Sequence, residues 1–454
     1  MALAILQMDG FGVAIWWWVW VALAKMESGE WSGGGEGNEK FKMSSDSLPP
    51  LPESRIVVGC GAVALDFLTV VAAYPEPDDK IRSINFKVEG GGNAGNALTG
   101  AARLGLTPRI ISKIANDPQG KGILKEFEAD GINTSFLVVS EEGNSTFSYV
   151  IVDNQTKTRT CIVTLGYPPL MPSDLPLSTL LFALDGARIA YFDGWLLEAA
   201  VVIAQEVIAI YFVMLKIWQD VLNLQAARKN IPTLVDVEME GEGFADLLKL
   251  ADYAVCSEKF PQASLLFTEL LIAWTEASSM PSALVSLLLR LPNLKFVIVT
   301  LGENGCIMLE RSVNENPDLE EIDVDSLLET LEQRKEESVF SPTCVSSLET
   351  KLRANGIGTM CGRLFVGTAE KIPPSELTDT TGAGDAFIGA VLYAICANMP
   401  PEKMLPFAAQ VAAASCRALG ARSGLPHRTD PRGLDENLMA IVTAVCEQGN
   451  SEAH

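Results

Sequence analysis

The chain has 454 residues, 48% hydrophobic and 20% charged, enough apolar content for a large core, which excludes wholesale disorder. A formal net charge of −23 repels phosphate backbones, so no nucleic acid is expected as a partner. The two histidines, His427 and His454, cannot build a His-rich metal site, and nine cysteines without a C-x-x-C pair read as reduced thiols of an intracellular protein.

Residues 1–54 read as an N-terminal extension and flexible linker. The apolar run Phe11–Ala24 is 14 residues long, short of the about 20 that a bilayer span takes. No basic residue precedes Lys25, as a secretory signal would require. A membrane is therefore not an expected partner, and the expected location is the cytoplasm. The alternatives are a plastid, or a membrane anchor if Phe11–Ala24 serves as one. Ser28–Asn38 is a Gly/Ser-type linker, and Pro49, Pro50 and Pro52 lead into the first strand at Arg55.

From residue 55 short β-branched runs alternate with helical ones. Strands are predicted at Ile56–Val58, Arg109–Ser112, Ile189–Phe192, Thr233–Val237, Tyr253–Cys256 and Phe296–Thr300. Helices are predicted at Asn93–Leu104 and Gly120–Ala129. This alternation argues for an α/β fold with a parallel, doubly wound sheet. Phe147–Leu165 breaks the rhythm with two alternating runs about Asp153–Thr156, a hairpin pattern. Residues 311–340 contain the acidic stretch Glu315–Glu337, read as a solvated surface insertion. Val207–Leu215 and Leu265–Trp274 are apolar all round, as buried helices or inserted sequence would be. Residues 55–430 are assigned to one domain, and 431–454 to a C-terminal helix and tail.

Three glycine clusters compete as ligand loops. Gly59–Ala64 and Gly90–Gly95 each fit G-x-G-x-x-G/A, a dinucleotide pattern. The first is followed too soon by Pro75 and Pro77 for a full helix, and the second follows a polar strand, so nicotinamide binding is disfavoured. No P-loop sequence occurs. The third cluster, Asp379-Thr-Thr-Gly-Ala-Gly-Asp-Ala-Phe387, opens a helix that runs on through Ala397. Gly382 and Gly384 allow close backbone approach, and free N–H groups at a helix start attract an anion. Asp385 beside them could accept a proton from an attacking hydroxyl. Taken alone, the same residues read equally as a turn whose Asp complements the helix dipole.

D-T-T-G-A-G-D-A-F resembles the C-terminal signature of the ribokinase-like (PfkB-type) carbohydrate kinases. Gly91–Leu98 (GGNAGNAL) resembles that family's N-terminal signature, in the form seen in ketohexokinase-like and plant members. Thr300–Gly305 (TLGENG) is similar to its nucleotide-side T-x-G-x-x-G. The three matches follow in the family's order across about residues 55–430. The resemblance implies a three-layer α/β/α sandwich with a small β-sheet lid, here about residues 80–90 and 147–165. It implies an ATP-dependent kinase that phosphorylates a hydroxyl of a small sugar, with ATP and Mg²⁺ as cofactors and K⁺ as a further one. Asp385 matches the catalytic base, and Gly382, Ala383 and Gly384 the anion hole. Asp66, Gly91, Gly92, Asn93 and Asn96 match the sugar contacts. Thr300, Gly302 and Gly305 match the ATP contacts, while Gly420 and Ala421 fall where the family lines its adenine pocket or a nearby monovalent-cation site.

One departure concerns the metal. The family's N-x-x-E is replaced by Ser257-Glu258-Lys259-Phe260, leaving Glu258 as the substitute metal residue. The set Asp66, Asn93 and Asn96 favours a ketose or pentose as substrate. A nucleoside kinase of the same fold, or a non-catalytic regulatory relative, is the alternative. A lid of exposed strands also admits a homodimer formed through it.

Overall fold

The structure is a computed structural model that describes residues 54–206, 231–238, 243–257, 277, 279–312, 319–335 and 341–428. Val207–Leu215, Leu265–Trp274, Glu258, Phe11–Ala24 and the 431–454 tail lie outside these residues.

Successive residues of the central strands are buried on opposite faces, so the strands are apolar without interruption. β1 (Ile56–Cys60), β4 (Thr107–Ala115), β5 (Leu137–Ser140), β8 (Ile189–Phe192), β9 (Thr233–Val237), β10 (Tyr253–Ser257) and β11 (Phe296–Thr300) are parallel. Val57, Tyr191, Leu234 and Ile298 enter one core with helices α1 (Asn93–Arg103), α7 (Ala383–Cys396) and α8 (Pro401–Ser415). Val58, Phe192, Val235 and Val299 enter the other with α3 (Leu177–Leu184), α4 (Phe244–Lys249), α5 (Met280–Arg290) and α6 (Val324–Arg334). This is the three-layer sandwich that the resemblance implies. Helix α2 (Pro118–Ala129), N-capped by Asp117, joins the first core through Ile123 and Phe127.

The sheet continues beyond the predicted strands. β12 (Cys306–Arg311) and β16 (Gly358–Gly367) extend it antiparallel from β11, followed by β15 (Thr350–Ala354) and β13 (Glu321–Asp323), with β14 (Cys344–Ser346) paired to β16. The acidic stretch is therefore not simply a solvated insertion. Val324, Leu327 and Leu331 recur at helical spacing and are buried in α6, while the acidic residues line the other faces.

A separate four-stranded sheet forms the lid, in the order β3–β2–β6–β7. It comprises β2 (Ala64–Val71), β3 (Asn85–Gly91), β6 (Phe147–Asp153) and β7 (Arg159–Thr164). The predicted hairpin is β6–β7, antiparallel. β2 adds a strand that the sequence reading did not predict. Asp66 stands within β2, opposite Glu89 of β3 and Ser148 of β6.

Candidate active site

Parallel strands present their C-terminal ends along one edge, where open α/β sheets bind ligands. At that edge Asp193 directly follows β8, β9 carries Asp236 and leads to Glu238, and β11 ends at Thr300. Helix α7 begins with Gly382 as its N-cap in the left-handed region, φ 72°. A Cβ at Gly382 would stand 2.4 Å from the Cβ of Ala421, so both backbone and packing demand glycine there. At Gly384 a Cβ would meet no atom within 4 Å. The Ala383 N–H donates to the Thr380 carbonyl at 3.3 Å, so it is already engaged in closing the turn. Gly384 and Asp385 lie in the first turn, where a helix supplies no acceptor for its amides. Asp379, fully buried, ties the turn to residue 420. One carboxylate oxygen accepts from the Thr381 N–H (2.9 Å) and hydroxyl (2.7 Å), the other from the Gly420 N–H (2.9 Å).

Asp385 is buried, and its Oδ2 accepts a hydrogen bond from Asn96 Nδ2 at 2.8 Å. The two signatures thus meet across 289 residues of sequence. Carboxylate oxygens of Asp236, Glu238 and Asp385 all lie within 4.8 Å of one another. Burial, and then the Glu238 charge, push Asp385 well above the ordinary carboxylate range, against the opposing bond from Asn96. Asp236 is raised well above it for the same two reasons. Glu238 is raised by burial, and Asn93 Nδ2 donates to it. Three oxygen donors at this separation are the hard ligand set that Mg²⁺ takes.

Asp193 organises the entrance to α1. It is fully buried and accepts from the N–H groups of Ala62 (2.6 Å), Ala94 (3.0 Å) and Trp195 (3.0 Å), while burial pushes it up to about 7. A Cβ at Gly61 would fall 2.2 Å from that carboxylate. This is why the Gly59–Ala64 cluster imitates a dinucleotide loop. Its second glycine makes room for an aspartate, and the chain turns into a lid strand instead of a helix. Gly92 N-caps α1 at φ 83°, where a Cβ would stand 2.6 Å from the Ala62 carbonyl oxygen.

The lid presents Asp66 and Ser148 side by side, with the Ser148 hydroxyl donating to Asp66 Oδ1. Burial pushes Asp66 up to about 6. A Cβ at Gly91 would stand 2.2 Å from the Asp66 carboxylate. Arg159 at the start of β7 reaches the signature turn, its Nη1 donating to the Thr380 hydroxyl at 3.3 Å. Thr300, whose hydroxyl donates to the Cys256 carbonyl (3.3 Å), lies two strands from β9, with Gly302 (φ 59°) and Gly305 (φ 93°) shaping the following turn. A Cβ at Gly420 (φ 90°) would fall 1.7 Å from Glu89 Oε1, and Ala421 packs on Gly382. Ser257 ends β10, while Glu258, the metal residue that the resemblance leaves, is outside the described residues.

Sequence reading missed Asp193, Asp236, Glu238 and Arg159. An acidic residue inside the apolar strand Thr233–Val237 was the available signal for Asp236, since an acid is rarely buried without a role. Arg159 carried none, because only the lid's fold brings it to Thr380.

The profile of the pfkB family carbohydrate kinases matches residues 57–318 and 363–428. The chain belongs to this family. As a member it is an ATP-dependent carbohydrate kinase. The kinase is 23% identical to the ribokinase of Mus musculus over 391 residues, 83% of this chain and 94% of that protein. It is 29% identical to the ketohexokinase of Mus musculus over 111 residues, 24% of this chain and 37% of that one. The Thermotoga maritima ribokinase structure aligns with TM-score 0.56 at 19% identity, covering 86% of this chain and 99% of that one. The Arabidopsis thaliana ribokinase, complexed with ribose and ATP, aligns with TM-score 0.54 at 16% identity, covering 87% and 99%. The profile match breaks between residues 318 and 363, a span that includes α6. Among the described residues no helix of the kinase is long and apolar enough to cross a membrane.

Proposed function

We propose that the kinase transfers the γ-phosphoryl group of ATP to a hydroxyl of a small, uncharged sugar, a ketose or pentose. The observation that carries this reading is the bond between Asp385 and Asn96, which brings the base of one signature against the sugar contacts of the other. Asp385 takes the proton of the acceptor hydroxyl as that oxygen attacks phosphorus in line. The amides of Gly384 and Asp385, with the helix start behind them, stabilise the charge of the transferring group. Ala383 serves this hole through its place in the turn, its own N–H being held by Thr380. Arg159 adds a guanidinium from the lid. Asp66, Asn93 and Asn96 hold sugar hydroxyls, with Gly91 and Gly92 leaving room for the ligand, and the lid excludes water during transfer. Thr300, Gly302 and Gly305 border the ATP phosphates, and Gly420 and Ala421 the adenine.

Asp236 and Glu238 are the residues that would hold Mg²⁺ beside Asp385. When bound, the ion neutralises phosphate charge. Asp66, Asp236, Glu238 and Asp385 also weigh against an acceptor that is itself an anion, because like charges brought together at low dielectric repel.

The test is ADP release by the full chain with Mg²⁺ and K⁺, over neutral pentoses, hexoses and ketoses, sugar acids, sugar phosphates and nucleosides. K⁺ covers the monovalent-cation site that the family resemblance implies near Gly420. Turnover of one neutral sugar is expected, with sugar acids and phosphates at least about tenfold lower in kcat/KM, a difference of about 1.4 kcal/mol. Silence from a folded chain that binds ATP would overturn the reading and leave a regulatory relative. A preference for nucleosides would replace the sugar with a nucleoside.

We further infer a homodimer through the lid. Phe86, Val88, Tyr149 and Ile162 are 43–58% exposed and lie on one face of the sheet by register, with Phe67 among them. Such an apolar sheet face marks an interaction surface, and a second lid offers the same chemistry. Sedimentation should give a dimer that Tyr149→Asp converts to monomer. A monomeric wild type at micromolar concentration would sink this assignment.

A further inference from the structure

Arg422 is 2% exposed and directly follows Gly420 and Ala421. Its Nε donates to Asn96 Oδ1 at 3.0 Å, Nη2 to the Gly91 carbonyl at 2.9 Å, and Nη1 to Glu126 Oε2 at 3.2 Å. Its own N–H donates to Glu89 Oε1 at 3.3 Å, and Arg103 donates to its carbonyl. The guanidinium sits 4.9 Å from the centre of the Phe127 ring. Two glycines of the GGGNAG run exist to admit it. A Cβ at Gly90 would fall 2.0 Å from Nη1, and one at Gly95 2.5 Å from Nη2.

We infer that Arg422 is a positioning residue of the phosphoryl transfer, locking the Asn96 amide so that its NH₂ end faces Asp385. The argument is one of donors and acceptors. Arginine has only donors, so the end of Asn96 that faces Nε must be the oxygen. The other end is then the NH₂, which donates to Asp385 Oδ2. Without the guanidinium both orientations of the amide become accessible, and the flipped one aims an oxygen at a carboxylate. The locked amide occupies Oδ2 and leaves Oδ1 for the acceptor hydroxyl. Asp385 is otherwise faced by Asp236 and Glu238 from the end of β9, Tyr191 of β8 and Asp193 directly after it, and Arg159 from the lid. Arg422 is itself faced by Glu126, Asp66, Asp130 and Glu89. Asn96 is thus the neighbour that donates to the Asp385 carboxylate, and the one that Arg422 controls.

The effect on rate rests on the kinase reading above, so turnover by the wild type is measured first; an inactive wild type overturns both. Arg422→Lys keeps a cation among the four carboxylates and loses the fork that grips Asn96 and Gly91. With displacement of a reacting group by about 1 Å costing about 10²-fold, kcat should fall about 10- to 100-fold while KM for ATP changes less than about twofold. Asn96→Ala should lower kcat to the same extent, and adding Arg422→Lys to it should lower kcat no further. A merely structural role lowers the folded fraction, and its loss adds to that of Asn96→Ala. If Arg422→Lys fails to fold, Arg422→Gln with Glu126→Gln removes the buried pair together and is read in the same two ways. A folded variant with wild-type kcat, or losses in kcat that add between Arg422 and Asn96, would overturn the inference.

Discussion

Asp385→Asn is expected to lower kcat by about 10²–10⁴-fold, the range that a positioned general base contributes. Asparagine keeps the shape and can still accept from Asn96 Nδ2, so the helix start and its partner stay in place. What it loses is the capacity to take a proton. The variant should also be more stable than the wild type at neutral pH. Burial and Glu238 raise the folded-state pKa of Asp385 above its unfolded value. Stability from such a group is present at pH below the unfolded value and is lost as pH rises through the folded one. As pH rises the wild type must therefore either hold a proton that the unfolded chain gives up or carry a poorly solvated charge beside Asp236 and Glu238, and the variant bears neither cost. Thermal melts should show the variant's advantage growing from pH 5 to pH 8. A variant that keeps kcat within tenfold of wild type would remove Asp385 from the role of base.

The paired change at the signature glycines has the second-largest effect, because the two residues answer to different demands. Gly382→Ala must hold a side chain at φ 72° and place its Cβ 2.8 Å from the Cα of Ala421. The left-handed conformation alone costs about 1–2 kcal/mol, and backbone has little room to yield, so unfolding should shift to lower denaturant. Gly384→Ala meets no atom within 4 Å and lies inside the helix. Alanine there favours the helix by about 0.5–1 kcal/mol, so this variant should be at least as stable as wild type. It should nonetheless lose about 10²-fold in kcat, the cost of one lost oxyanion donor, because its methyl stands where the phosphoryl oxygens approach the amides. Denaturant midpoints and kcat for both variants separate the two demands. A fully active Gly384→Ala enzyme would mean that no anion comes close to this turn.

Much of the scaffold was legible because its causes are local. Ile189–Phe192, Thr233–Val237 and Phe296–Thr300 are strands over the residues predicted, since a strand buried on both faces must be apolar throughout. β2 was not legible. Its sequence, ALDFLTVV, is apolar enough for either period, and its assignment rests on pairing with β3 and β6. In Glu315–Glu337 the charges hid the spacing of Val324, Leu327 and Leu331, which a count of acids does not register.

The same division runs through the site. Asp379–Phe387 could be read as an anion-binding helix start from the chain alone, because left-handed backbone at Gly382 and free first-turn amides are properties of a few consecutive residues. The sequence by itself therefore determined the family, the sheet's central strands and the glycine turn that carries Asp385. The tertiary structure decided what surrounds Asp385. Asp236 and Glu238 come from β9, Arg159 from the lid, and Arg422 from a loop 326 residues beyond the asparagine it holds. Gly61, Gly90 and Gly95 are glycines because an aspartate and an arginine from remote segments fill the space of their side chains. Burial and mutual repulsion among carboxylates depend on distances through space. No spacing along the chain encodes them.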